Sequence, residues 1–124
     1  MAIGVVVRNE RGENLTDFLG FVPLVGWAQR SKYPMLTHQD PYGNTILNQL
    51  QVGSLLAELN EIDAAIAQLG ARLALERVGS PLLSDGALPI DEVDQVVSVY
   101  IAGLRDLGAT TLAKVHRYLW FVGD

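Results

Sequence analysis

The residues best suited to chemistry lie in one polar segment, Tyr33–Gln51 (YPMLTHQDPYGNTILNQLQ). The segment is rich in Tyr, Asn, Gln and Thr, is interrupted by prolines, and separates two apolar regions. Dense polar and aromatic content on an irregular segment is typical of binding and catalytic sites. We therefore expect any functional site to include part of this segment.

A metal centre is the first chemistry to consider. His38 and Asp40 are separated by one residue, and His116 is the second histidine of the chain. Two imidazoles and a carboxylate form a known ligand set for iron, but no His-Glu-x-x-His or similar spacing accompanies them. Asp40-Pro41 is instead typical of a turn or a helix start. The sequence predicts no metal site: His38 hydrogen-bonds within its loop, and His116 lies on the exposed side of a strand.

Recognition of a partner or ligand is the second chemistry. One Asp and one Gly are enough for the turn, and Asn44 or Thr45 is enough to cap a following helix. We expect Asn48 to hydrogen-bond internally, and Tyr42 and His38 to be exposed. Together with one residue of the aromatic C-terminal segment, the candidate binding residues are His38, Asp40, Tyr42, Asn44, Asn48, Gln51 and Trp120.

The common catalytic and cofactor-binding motifs do not occur in the sequence. No serine lies in Gly-x-Ser-x-Gly or Ser-x-x-Lys, and there is no dinucleotide-binding glycine motif, Walker A sequence or EF-hand loop. Glu58, Glu61, Asp63 and Glu76 fit the solvent-facing side of a helix. The sequence therefore predicts a protein without catalytic residues and without a cofactor.

Composition narrows the partner and the compartment. The 124 residues carry a net charge of −5 and no cysteine. The acidic balance disfavours nucleic acid, whose binding depends on Lys and Arg, and it favours a basic protein partner. No apolar run is long enough to span a bilayer and no signal peptide is recognisable, so we expect a cytoplasmic protein without membrane contact.

The predicted elements form one domain covering residues 1–124. Ile3–Arg8 predicts a strand, Asn9–Gly12 a turn, and Leu15–Val22 a second strand, giving a hairpin. The density of aromatic and β-branched residues in Lys114–Val122 favours a third strand over a helix. On that strand, Leu119 and Phe121 would share one face and Tyr118, Trp120 and Val122 the other.

Two amphipathic helices complete the prediction. Apolar residues recur at steps of three and four in Val52–Val78, which predicts a helix beginning either near Asn44 or Thr45 or near Gly53. A second helix is expected to be capped by Asp91 and to end at Gly108. The fold class is α+β: a small antiparallel sheet, made by the N-terminal hairpin and the C-terminal strand, covered by two main helices.

The stretch Asp40-Pro-Tyr-Gly-Asn-Thr-Ile-Leu-Asn-Gln-Leu-Gln51 resembles a pattern in small bacterial proteins. These proteins carry a D-x-Y-G-x-T-x-x-N-x-x-Q core before a helix and end in an aromatic segment like Tyr118–Asp124. The resemblance covers about a third of the chain and brings no assigned activity. It implies a bacterial single-domain protein and draws attention to Tyr42, Asn44, Asn48 and Gln51.

Three functions stay open from the sequence. The first is a non-enzymatic protein-binding domain, such as an immunity-type inhibitor of a basic toxin. The second is a small ligand-binding domain or enzyme that uses Tyr33–Gln51, and the third is a structural subunit of a homo- or hetero-oligomer. A deep pocket would favour the second function, a flat acidic surface the first, and a large apolar patch the third.

Overall fold

A computed structural model describes residues 3–20, 34–37, 43–69 and 90–123. The elements, in chain order, are β1 (Ile3–Asn9), α1 (Pro34–Thr37), β2 (Asn44–Leu47), α2 (Gln49–Leu69), α3 (Ile90–Leu112) and β3 (Arg117–Gly123). The architecture is the predicted small α+β fold with a three-stranded antiparallel sheet. No helix in this described part of the chain is long and apolar enough to cross a membrane.

The C-terminal strand is the centre of the sheet, whose order is β1-β3-β2. β3 pairs antiparallel with both neighbours, with Val5 opposite Phe121 and Ile46 opposite Trp120. Directly opposed residues in an antiparallel pair point to the same face. The strand predicted in Lys114–Val122 is confirmed from Arg117 onward, but His116 precedes the strand and does not lie on it as predicted. β2 is a strand that the sequence does not predict.

The predicted turn is well formed, but the second strand predicted over Leu15–Val22 is wrong for its described part, residues 15–20, which forms no strand. The side chain of Asn9 accepts hydrogen bonds from the backbone N–H groups of Arg11 and Glu13, both at 3.0 Å. Gly12 takes a positive φ of 81°, which glycine adopts without steric cost. The returning chain pairs with β1 only through two isolated bridges, one from Asn14 and one from Leu19. This arm covers the outer edge of β1.

One face of the sheet packs under α2 and α3. Alternate strand residues enter this core, and each helix contributes its apolar stripe. The predicted stripe of the long helix is confirmed through Ile62, after which the predicted residues lie outside the described side chains. The buried hydrophobic residues on this side are Val5, Val7, Leu47, Val52, Leu55, Leu59, Ile62, Tyr100, Ile101, Leu104, Leu119 and Phe121.

The helix boundaries differ from those predicted. α2 begins at Gln49, so neither Asn44 nor Gly53 marks its start, and Asn44 lies in β2 instead. α3 begins at Ile90, so Asp91 lies inside the helix and is not its cap as predicted, and the helix continues through Gly108 to Leu112. A Cβ at Gly108 would lie 2.8 Å from a methyl carbon of Leu56, so this glycine allows close contact between the helices rather than ending one.

Two polar side chains are more buried than their sequence context suggests. Glu58 is 7% exposed and not solvent-facing, and its carboxylate accepts the backbone N–H of Met35 at 3.0 and 3.1 Å. Tyr100 is 1% exposed, and its hydroxyl has no hydrogen-bond partner. Burial raises the pKa of this hydroxyl far above its ordinary value, because the charged phenolate would lose its hydration.

Candidate functional site

The predicted segment Tyr33–Gln51 contains a helix cap. The backbone N–H of Asn48 donates to Oε1 of Gln51 at 3.0 Å, and the backbone N–H of Gln51 donates to Oδ1 of Asn48 at 2.9 Å. This reciprocal pair is a capping box, in which the side chains satisfy backbone groups at the start of α2. Both side chains therefore have a structural role here, although each is partly accessible.

Next to the cap lies a small cavity of about 250 Å³. It is lined by Gln51, by the β2 residues Thr45, Ile46 and Leu47, and by Pro34 and Met35 of α1. Asn44, at the start of β2, is exposed and is not among the residues that line this cavity. The described part of Tyr33–Gln51 thus combines a capping box with a small, partly apolar cavity.

Three candidates from the sequence, His38, Asp40 and Tyr42, lie outside the described residues. His116 directly precedes β3 in a left-handed conformation, with φ 61°, and its ring nitrogen Nδ1 lies 3.5 Å from the exposed carboxylate of Glu10. Among the described residues, no group of three or more His, Cys, Asp or Glu side chains could hold a metal ion.

A different surface, the face of the sheet opposite the helices, carries an aromatic cluster. We call it the open face and define it by Val6, Arg8, Phe18, Ile46, Tyr118, Trp120 and Val122. Within this set Val6 is fully buried, whereas the side chains of Phe18 and Ile46 are 48% and 45% exposed. The alternation predicted for β3 is confirmed, because Leu119 and Phe121 are buried in the core and Trp120 is half-buried on the other side.

Close packing holds Phe18 on this surface. A Cβ at Gly4 would lie 2.8 Å from a ring carbon of Phe18, so the ring lies directly against the backbone of β1. The next residue, Leu19, points to the opposite face, where it contacts α3 at Gly103. The short arm after the turn is thereby anchored on both sides of the sheet.

Arg8 lies between the aromatic rings of the open face. Its guanidinium carbon is 4.6 Å from the centroid of the Trp120 ring and 5.9 Å from that of Phe18. Both distances allow cation–π attraction. Its Nε donates to Oδ1 of Asn14 at 2.7 Å, which fixes the direction of the guanidinium.

Trp120 is the sequence-predicted candidate that belongs to this cluster. Its indole Nε1 is buried and has no hydrogen-bond partner, although a buried indole N–H usually finds one. The ring is held by its cross-strand neighbour Ile46 and by the cation of Arg8. The exposed part of Trp120 is therefore its apolar surface.

Arg8 and Phe18 are site residues that the sequence does not predict. The sequence predicts that Arg8 lies on a strand, and its pairing opposite Tyr118 shows which face of the sheet it occupies. Because residues two apart on a strand point to the same face, the sequence could have placed Val6 and Arg8 on one face of β1. Phe18 had no comparable signal, because its arm forms only isolated bridges.

Comparison with protein-family models, with curated proteins and with solved structures finds no match for this chain.

Proposed function

We propose that the protein is a non-enzymatic protein-binding domain that contacts its partner through the open face. The observation that carries the proposal is the exposure of Phe18 and Ile46 on either side of Trp120. Aromatic residues and Arg are enriched in protein interfaces, and a cluster of exposed apolar side chains around them is typical of such a surface.

The overall charge supports a basic partner. With a net charge of −5, the protein attracts a positively charged protein over distances of about 10 Å at moderate salt. An immunity-type inhibitor of a basic toxin, acting in the cytoplasm, fits this combination of charge, small size and lack of catalytic motifs. Fold analogy adds nothing to this choice, because folds host many functions.

A structural subunit of an oligomer is the second candidate. The same apolar residues of the open face support it, since a second copy of the chain can cover them as well as a different protein can. Analytical ultracentrifugation separates the two: a dimer of the wild-type chain that becomes monomeric on Phe18→Ser together with Ile46→Ser favours the oligomer. A monomer at working concentration favours the heterologous partner.

The main experiment compares three immobilised baits. These are the wild-type chain, the open-face double variant Phe18→Ser/Ile46→Ser, and the control variant Leu50→Ser, which changes a residue that is 83% exposed on α2. The product of any gene adjacent to the one that encodes this chain is the first purified candidate partner. We expect binding by the wild type and by the control, and at least a tenfold loss in the double variant, as for removal of interface anchors.

Salt dependence then tests the electrostatic part of the proposal. The association rate should fall as salt rises, because added ions screen the attraction between the two proteins. Equal binding by all three baits contradicts the use of the open face. An association rate that stays flat with salt contradicts steering by charge while leaving the open face as the contact.

A further inference from the structure

We propose that Arg8 is the specificity-determining contact of the open face and that it binds the carboxylate of an Asp or Glu side chain on the partner protein. This inference rests on the proposed function, because it requires a protein to occupy the open face. It adds the position and the chemical nature of one contact within that surface.

Arg8 is already held in a fixed geometry. Its Nε is occupied by Asn14 at 2.7 Å, and its guanidinium is stacked against Trp120 at 4.6 Å. Ordering a long side chain is one of the main costs of binding, and here most of that ordering has occurred in the unbound chain. The two terminal nitrogens are thereby presented at the end of an ordered side chain.

Among the described residues, these terminal nitrogens have no oxygen partner, in contrast to those of comparable arginines. Arg105 and Arg117 are half-buried like Arg8; the first meets a carboxylate oxygen of Asp63 at 2.6 Å, and the second donates to the carbonyl of Thr110 at 2.7 Å. Within the described part of the chain, no carboxylate lies within ion-pair distance of Arg8. In a protein with an excess of acidic residues, an ordered cation to which no described residue supplies a counter-charge fits a carboxylate supplied by the partner.

A carboxylate matches this position better than a neutral amide. The planar guanidinium offers parallel N–H donors to two oxygens, and the charge strengthens each hydrogen bond. Covering Phe18 and Trp120 excludes water, and the lower local dielectric strengthens the attraction further. The net negative charge of the protein speeds the association of a basic partner, whereas Arg8 fixes how the bound partner is positioned. A partner that is basic overall can therefore also carry the carboxylate that Arg8 binds.

The test uses three short peptides that differ at one position: acetyl-Phe-Glu-Leu-amide, acetyl-Phe-Gln-Leu-amide and acetyl-Phe-phosphoserine-Leu-amide. Each is titrated into the ¹⁵N-labelled chain up to about 20 mM, the range in which small fragments bind. The reporters are the side-chain N–H signals of Arg8 and Trp120. We expect the Glu peptide to shift both signals and to bind about tenfold more tightly than the Gln peptide.

Two variants assign the effect to the guanidinium. Arg8→Lys keeps the charge but removes the paired donors and should reduce the preference for Glu over Gln, whereas Arg8→Gln removes the charge and should abolish it. The control Arg11→Gln changes an arginine on the exposed turn whose side chain is 80% accessible and should keep the preference. Amide spectra of all variants verify that they are folded.

Several outcomes overturn the proposal. Equal binding of the Glu and Gln peptides, or no shift of the Arg8 signal at the highest concentration, removes Arg8 as a carboxylate contact. Tighter binding of the phosphoserine peptide by tenfold or more reassigns the position to a phosphorylated partner. In each case the baits with an altered open face still decide whether that face binds a protein, so failure of the Arg8 contact is distinguishable from failure of the proposed function.

Discussion

Ile46 and Leu47 are neighbours on β2, yet Ile46 is 45% exposed and Leu47 is 4% exposed. The difference arises because successive strand residues point to opposite faces of the sheet. One face receives the apolar stripes of two helices, and the other carries aromatic rings and one arginine. The same alternation thus produces a core that stabilises the fold and a surface from which side chains can be changed at little cost to stability.

The largest expected effect is on the covered face. Leu59→Ala and Leu104→Ala each remove a completely buried side chain, and each should lower the free energy of unfolding by about 2–5 kcal/mol because a cavity remains. Chemical denaturation measures the loss.

Leu50→Ala is the matched control for these variants. It is the same truncation on α2 at a residue that is 83% exposed, and it should change stability by less than about 0.5 kcal/mol. Losses below about 0.5 kcal/mol at both core positions would show that the two stripes do not share a core.

A smaller loss is expected from the cap that starts α2. Asn48→Ala removes the acceptor for the backbone N–H of Gln51, and loss of such a cap costs about 1 kcal/mol. Asn44→Ala, an exposed change on β2, is the control and should be nearly neutral. If Asn48→Ala leaves the melting temperature unchanged, the capping box does not stabilise the helix.

The outcome at these residues indicates how much the sequence alone could predict. Periodicity identified both helices and the terminal strand, because burial requires a regular pattern of apolar residues along each element. It could not locate β2, since Asn44–Leu47 is only four residues long and its side chains are equally compatible with a turn and a helix start. The strand exists because its backbone pairs with β3, which is a long-range contact.

The candidate site was predictable only in part, for a related reason. Asn48 and Gln51 were recognised as unusual polar residues, but their mutual hydrogen bonds depend on where α2 begins. Trp120 was selected from its residue type, whereas Arg8 acquires its interest from the rings of Trp120 and Phe18, which reach it from distant positions in the chain. Local patterns do not contain such contacts.

A third prediction concerns the unpaired hydroxyl in the core. Tyr100→Phe removes a buried polar group without a partner, and at neutral pH it should raise the free energy of unfolding by up to about 1 kcal/mol. The effect is expected to be modest because the small void left by the oxygen offsets part of the gain.

The same residue predicts a pH dependence with a definite sign. Burial raises the pKa of Tyr100 in the folded state above the unfolded value of about 10. The folded state therefore holds the proton more tightly, and stability from this difference is complete below about pH 10 and is lost as pH rises beyond it. Wild type should lose stability above about pH 10 faster than Tyr100→Phe. Parallel curves for the two proteins would contradict burial of the hydroxyl.

The smallest effect on stability is expected on the open face, where Ile46 and Leu47 again provide a matched pair. Ile46→Thr keeps the β-branched shape that strands favour and changes a partly exposed residue, so the free energy of unfolding should change by less than about 0.5 kcal/mol. Leu47→Thr places a hydroxyl in the core and should cost several times more, since the apolar contacts are lost and the hydroxyl needs a partner.

For binding we expect the reverse order: Ile46→Thr weakens association with the partner, while Leu47→Thr, measured under conditions where it remains folded, leaves it almost unchanged. Denaturation curves and titrations of the two variants test both halves of the comparison. A large stability loss at Ile46 would mean that the open face contributes to the core, and it would remove the main reason for regarding that face as a binding surface.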